Sequence, residues 1–146
     1  MTRPTIHASC VQVGDFGVLI RGPSGAGKSM LALRLILDPP RALPAAVLVG
    51  DDRVRLDPRP NGLFACAPDL LAGLIEARFL GLRRLPYLPR TRLALVMDLA
   101  ANDATRLPEE NGIRAKLEGF ELRRIAVPHG ADGALLLAAA LCGLDP

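Results

Sequence analysis

Phe16-Gly17-Val18-Leu19-Ile20-Arg21 runs directly into Gly22-Pro23-Ser24-Gly25-Ala26-Gly27-Lys28-Ser29, and then into Met30-Leu31-Ala32-Leu33-Arg34-Leu35-Ile36-Leu37. The first block is a short apolar run of the kind that forms a buried strand. The last is made of good helix formers and is stopped by Pro39 and Pro40, whose rings cannot continue a helix. Between them stands G-x-x-x-x-G-K-S, the phosphate-binding loop of strand–loop–helix units. Gly22, Gly25 and Gly27 let the chain wrap a phosphate with its N–H groups pointing inward, where side chains would block the approach. Pro23, Ser24 and Ala26 complete the wrap. The helix beginning near Lys28 adds the positive end of its dipole. Lys28 is placed to neutralise β- and γ-phosphates, and the Ser29 hydroxyl to ligate Mg²⁺. The stretch therefore predicts a site for a nucleoside triphosphate with Mg²⁺.

Outward from the loop, Ala45 to Val49 reads as a second buried strand, ending at Gly50-Asp51-Asp52. Val54 to Leu56 and Leu63 to Cys66 look like a hairpin around the turn-rich Asp57-Pro58-Arg59-Pro60-Asn61-Gly62. Leu93 to Met97 is a third apolar strand, closed by Asp98. Ala100 to Gly119 is polar and mixed, a loop with a short helix. Leu122 to Val127 reads as a further strand, and Ala134 to Leu141 as a closing helix. Strands alternating with helices predict an α/β fold. The expected architecture is one P-loop-containing domain over residues 1–146, with a mixed central sheet and flanking helices.

Composition narrows the classes of partner. Hydrophobic residues make up 50% of the 146, enough for one substantial core. Aromatics are only 3%, which leaves little to stack on exposed bases, and a net charge of +3 is too weak a basis for nucleic-acid binding. Arg83, Arg84, Arg90 and Arg92 cluster, as do Arg123 and Arg124; these read as solvated surface or as a basic face for an acidic protein or phosphate. Cys10, Cys66 and Cys142 lack metal-ligand spacing and read as reduced thiols. No charged segment leads into a long apolar run at the start, and Ala134 to Leu144 is too short to span a bilayer. A cytoplasmic protein without a membrane partner is expected.

A phosphate loop does not name a reaction. Transfer also needs a proton acceptor and a further acid near the metal. Two strands end in acids, at Asp51-Asp52 and at Asp98, and either resembles the usual partner strand of a phosphate loop. Adjacent carboxylates can divide the work, one against the metal and one taking the proton. No N-K-x-D segment follows, so the guanine-reading contact of GTPases is missing. Met30 stands where the dinucleotide fingerprint G-x-G-x-x-G needs its last glycine.

The order Ile6-His7, Phe16 to Ile20, the phosphate loop, Asp51-Asp52 and then Ile75-Glu76-Ala77-Arg78-Phe79-Leu80-Gly81-Leu82 resembles the HPr kinase/phosphorylase family. The resemblance runs from about Ile6 to Leu144 and corresponds to the catalytic domain; the family's usual N-terminal domain has no counterpart, as in short forms from some proteobacteria. It implies ATP- and Mg²⁺-dependent phosphorylation of a serine of HPr, the phosphocarrier protein of the bacterial sugar phosphotransferase system, with reverse phosphorolysis. It further implies that Lys28 contacts phosphate, that Ser29 and Glu76 complete the Mg²⁺ site, and that Asp52, supported by Asp51, is the proton acceptor. His7 matches the family's active-site histidine, and Arg106, in Thr105-Arg106-Leu107, its catalytic arginine. A homo-oligomer is implied as well, commonly a hexamer with HPr docking across subunit boundaries.

Without the resemblance, His7 reads as a surface residue, Arg106 as a solvated charge and Glu76 as an outward-facing strand residue. Three segments depart from the family pattern. Phe79 stands at a usual glycine, so that loop is expected to sit differently. Arg83-Arg84-Leu85-Pro86-Tyr87-Leu88-Pro89 replaces a longer Gly-rich stretch, and Val127-Pro128-His129-Gly130-Ala131-Asp132 lacks the arginines of a loop tied to dephosphorylation. The alternatives to a protein kinase are a kinase or ATPase acting on a small metabolite, and a regulator that senses nucleotide without turnover.

Overall fold

A strand apolar on both sides, as Val18-Leu19-Ile20 is, needs cover on two faces. The computed structural model, which describes residues 3–143, supplies it with β1 (Thr5–Ile6), β2 (Ser9–Val13), β3 (Phe16–Arg21), α1 (Lys28–Leu37), β4 (Ala46–Gly50), β5 (Val54–Arg59), β6 (Gly62–Cys66), β7 (Leu74–Ala77), β8 (Gly81–Arg84), β9 (Thr91–Leu99), β10 (Arg114–Leu117), β11 (Phe120–Val127) and α2 (Gly133–Cys142). Leu144 lies outside the described residues. The fold is α/β, with a mixed, curled sheet and two helices.

Nine strands form the main sheet, in the order β1-β5-β6-β9-β3-β2-β4, with the β10–β11 pair joined to β9 through β11. Both helices pack on one face, where Ala32 and Leu35 of α1 and Ala134 and Leu137 of α2 meet Val11, Val18, Ile20, Leu95 and Met97. The opposite face, carrying Cys10, Leu19, Val49 and Val96, is covered by Val54, Leu56, Leu63 and Ala65 of the curled β5–β6 hairpin. The flanking helices thus share a side, and sheet residues take the place of a third layer. Each core holds apolar side chains buried almost completely, the Val, Leu, Ile and Met ones worth roughly 1.5–3 kcal/mol apiece.

Three segments differ from their sequence reading. The hairpin strands run through Asp57-Pro58-Arg59, leaving only Pro60-Asn61 as the turn. Pro58 is tolerated because β1 pairs with β5 only at Val54 and Arg55, so its missing N–H faces a free edge. Residues 100–119 contain a strand, β10, besides a short 3-10 turn at Glu110–Ile113; β10 pairs with β11 through Glu118-Gly119, both left-handed. Asp98 lies inside β9, not beyond it. Phe79, at the turn of the separate β7–β8 hairpin, adopts a φ of 72°, which glycine reaches freely and phenylalanine does not.

Strand direction gathers the candidate residues. β9 and β11 run parallel to β3, while β2 is antiparallel to both β3 and β4. The C-terminal ends of β3, β4, β9 and β11 therefore share one edge with the N-terminal end of β2. Ligands of open α/β sheets bind at such an edge.

Candidate functional site

The phosphate loop leaves the end of β3 with Gly25 and Gly27 at φ of 81° and 97°. Gly27 caps α1 without a side-chain hydrogen bond, so the N–H groups opening the helix stay free for an anion. A Cβ added at Gly25 or Gly27 would meet nothing within 4 Å: the hollow is open. Lys28 is buried, and its Nζ donates to the carbonyl oxygens of Gly22 at 2.8 Å and Pro23 at 3.1 Å, bridging the mouth of the loop. These residues fit a polyphosphate: backbone donors, one ammonium and empty space.

Asp51 and not Asp98 is the acid that meets the loop. Its carboxylate is buried and accepts from Ser29 Oγ at 2.7 and 2.9 Å, from Ser9 Oγ at 2.6 Å and from the backbone N–H of Glu76 at 3.0 Å. One side chain thus joins α1, β2 and β7. Ser9 escaped the sequence reading; its only signal is a polar residue opening an apolar strand. Asp98 instead accepts from Arg21 at 2.7 and 2.9 Å and from Arg124 at 2.6 Å. Burial pushes the Asp98 carboxyl up, but the hydrogen bonds and charges of Arg21 and Arg124 together outweigh it and hold the group below the usual carboxylate range.

Asp52 faces outward. It has a left-handed φ of 66°, and its Oδ1 lies 2.8 Å from His7 Nε2. The pairing of Ile6 with Val54 brings these two residues together across 45 positions of sequence. With the carboxylate ionised, Nε2–H is the donor. The adjacent acids are therefore unequal: one is buried against Ser29, the other exposed against a histidine.

Glu76 joins through its backbone. Its side chain is exposed between buried Ile75 and Ala77, the outward-facing strand position anticipated for it. Among the described residues no three His, Cys, Asp or Glu side chains cluster tightly enough to hold a metal by themselves. Magnesium held between phosphates and one or two protein oxygens needs no such cage. Ser29 Oγ and the Asp51 carboxylate are oxygens at the loop that could serve in this way.

The structure does not bring Arg106 to this group. It lies on an exposed segment and lines a separate cavity of about 770 Å³ with Thr105, Pro108 and Arg124. Arg124 ties that segment to β11 by donating to Asp103 at 2.8 and 2.9 Å and to the Gly112 carbonyl at 3.0 Å. No hydrogen bond or ion pair among the described residues links Arg106 to Lys28, Asp52 or Glu76.

Residues 1–140 match the family model for the HPr Serine kinase C-terminal domain. The chain is 34% identical over 134 residues to the HPr kinase/phosphorylase of Geobacillus thermodenitrificans, covering 84% of this chain and 41% of that protein. It is 34% identical over 151 residues to the HPr kinase/phosphorylase of Bordetella avium, covering 94% and 47%. The chain thus spans less than half the length of these curated relatives. The structure of the Hpr(Ser) kinase/phosphatase from Coxiella burnetii shares the fold, with a TM-score of 0.75 at 23% identity, covering 96% of this chain and 89% of that one. No described helix is long and apolar enough to cross a membrane.

Proposed function

The chain belongs to the HPr serine kinase C-terminal domain family, and from that premise we propose that it transfers the γ-phosphoryl group of ATP to a serine hydroxyl of the phosphocarrier protein HPr. The observation that carries the reading is the joining of Ser29 to Asp51 beside an exposed Asp52–His7 pair. Bound MgATP supplies the activated phosphoryl group and the charge of its metal. The loop's N–H groups and the Lys28 ammonium bind and orient the phosphates, which compete with the Gly22 and Pro23 carbonyls for that ammonium. Ser29 and Asp51 would hold the metal, and the exposed Glu76 side chain would complete its shell.

Asp52 is the proton acceptor: it is exposed enough for a protein hydroxyl to reach, and His7 orients it. Arg106 stabilises charge on the transferring group. That role requires its segment to move, or a second copy of the chain in a homo-oligomer to supply it. The reverse phosphorolysis is weak, because residues 127–132 offer no arginine to hold inorganic phosphate.

The test is to mix the protein with HPr and MgATP, beside HPr whose acceptor serine is changed to alanine, and to weigh HPr. Addition of one phosphate to the serine form alone supports the reading; unchanged HPr sinks it. Adding phospho-HPr and inorganic phosphate should release pyrophosphate slowly, and rapid release would contradict the loop argument.

A further inference from the structure

We propose that Arg124 is a positioning residue for the transfer: its guanidinium closes the neck of the loop carrying Arg106 and so sets where that arginine can reach. This rests on the catalytic role proposed above for Arg106 and names what holds it. Asp103 Oδ2 and the Gly112 carbonyl oxygen both accept from one nitrogen, Arg124 Nη1, at 2.8 and 3.0 Å, and Asp103 Oδ1 accepts from Nη2 at 2.9 Å. The two ends of residues 103–112 thereby meet at a single group, as in a compact surface loop closed at its base.

Little else holds the loop. No residue from 103 to 112 is buried, and Leu107 stands 87% exposed beside Arg106. Apolar burial, which fixes the helices and the curled hairpin, contributes little here, so placement falls to the polar clamp. An exposed ion pair is normally weak, but this one is bidentate and shares its guanidinium with a second carboxylate. The Arg124 side chain is only 13% exposed against 57% for Asp103, so one arm is anchored in the protein and the other reaches out from the loop. The hydrogen bond from Arg124 holds the Asp103 carboxyl below the usual carboxylate range, and the pair stays charged at neutral pH.

The same guanidinium ties the loop to the phosphate site. Arg124 Nε donates to Asp98 Oδ2 at 2.6 Å, and that oxygen also accepts from Arg21 Nη2 at 2.9 Å. Arg21 is the last residue of β3, directly before Gly22 of the phosphate loop. Through one carboxylate, the base of the Arg106 loop is registered to the strand that carries the phosphate loop. With the base fixed, only residues 104 to 111 can swing, which narrows the search of Arg106 for the transferring group.

Asp103→Ala opens the clamp from its exposed side and leaves Arg124 paired with Asp98. Turnover of HPr should fall about tenfold or more, with KM for MgATP unchanged within roughly twofold and the thermal midpoint held. Added to Arg106→Ala, the same change should cost nothing further, because the clamp acts through that arginine. Additive losses, unchanged turnover or a gain in turnover overturns the proposal. Trypsin tests the clamp without any assay of transfer. Cleavage after Arg106 in the folded protein, followed by mass, should quicken about tenfold in Asp103→Ala, and an equal rate overturns the proposal. If the parent protein leaves HPr unphosphorylated, the catalytic reading fails first and the positioning role with it. A parent that phosphorylates HPr while Asp103→Ala matches it sinks the positioning role alone.

Discussion

The Ser29 hydroxyl lies within hydrogen-bonding distance of both oxygens of Asp51, 2.7 Å from Oδ1 and 2.9 Å from Oδ2. The first turn of the phosphate-loop helix is thereby tied to the end of β4, a strand on the far side of β2 from β3. Of the two acids at that strand end, the contact singles out Asp51 for the loop and leaves Asp52 to face solvent.

Asp51→Ala should destabilise the fold by about 2–3 kcal/mol, because it leaves the buried Ser9 hydroxyl and the Glu76 N–H without their acceptor. Asp51→Asn keeps one oxygen to accept and should cost less than half as much. Urea denaturation measures both. The asparagine variant should also lose most of the gain in nucleotide affinity that Mg²⁺ confers, read by calorimetry with and without chelator. Retention of that gain would remove Asp51 from the metal site.

Asp52→Asn should lower phosphoryl transfer by roughly 10²–10⁴-fold while leaving MgATP affinity nearly unchanged. Asparagine tolerates the left-handed φ of 66°, so the thermal midpoint should hold and the loss can be assigned to chemistry. His7→Ala should cost less, and adding it to Asp52→Asn should cost little more, as expected of a residue acting through its partner. Full activity in the asparagine variant would dismiss Asp52 as the base.

Asp98→Asn should destabilise the protein by about 3 kcal/mol near neutral pH, since it leaves Arg21 and Arg124 short of their shared counter-charge. The carboxyl's value is depressed in the folded state. The unfolded chain therefore takes up the proton first as pH falls, at about pH 4. The pair's contribution is complete above that and fades as pH drops through the lower folded value. Stability curves of the two proteins should converge in acid, and a constant gap down to pH 2 would contradict the assignment.

Gly17→Ala should cost about 3 kcal/mol or more, because a Cβ there would lie 2.2 Å from the Arg92 carbonyl oxygen where β3 and β9 shift register. Backbone is the obstacle, so no rotamer relieves it. A thermal midpoint within a degree or two of the parent would show that the strands can separate.

The phosphate loop was legible because its parts are consecutive: Gly22 to Ser29 carry their function in eight adjacent residues, and α1 begins and ends where its sequence places it. Long apolar runs such as Leu93 to Met97 were legible for the same local reason. β10 was not, since Arg114-Ala115-Lys116-Leu117 becomes a strand only by pairing with β11. Pro58 was misread as turn because its strand position depends on an edge that β1 leaves open. Asp98 also closes an apolar strand in the sequence, and only the fold surrounds it with Arg21 and Arg124. The resemblance alone put Arg106 in the active group; what the fold adds is that Arg124 ties the neighbouring Asp103 and Gly112 to β11.

What the chain's order of residues determined alone is the cradle, an open glycine loop with a lysine and a serine at the mouth of a helix. What only the folded sheet decided is the division between Asp51 and Asp52, and the joining of Ser9, His7 and Glu76 to them. Chemistry held in neighbouring residues survives reading in one dimension. Chemistry made by elements meeting across 22 to 45 positions of sequence exists only once the folded sheet and its helix have set which side chain faces which.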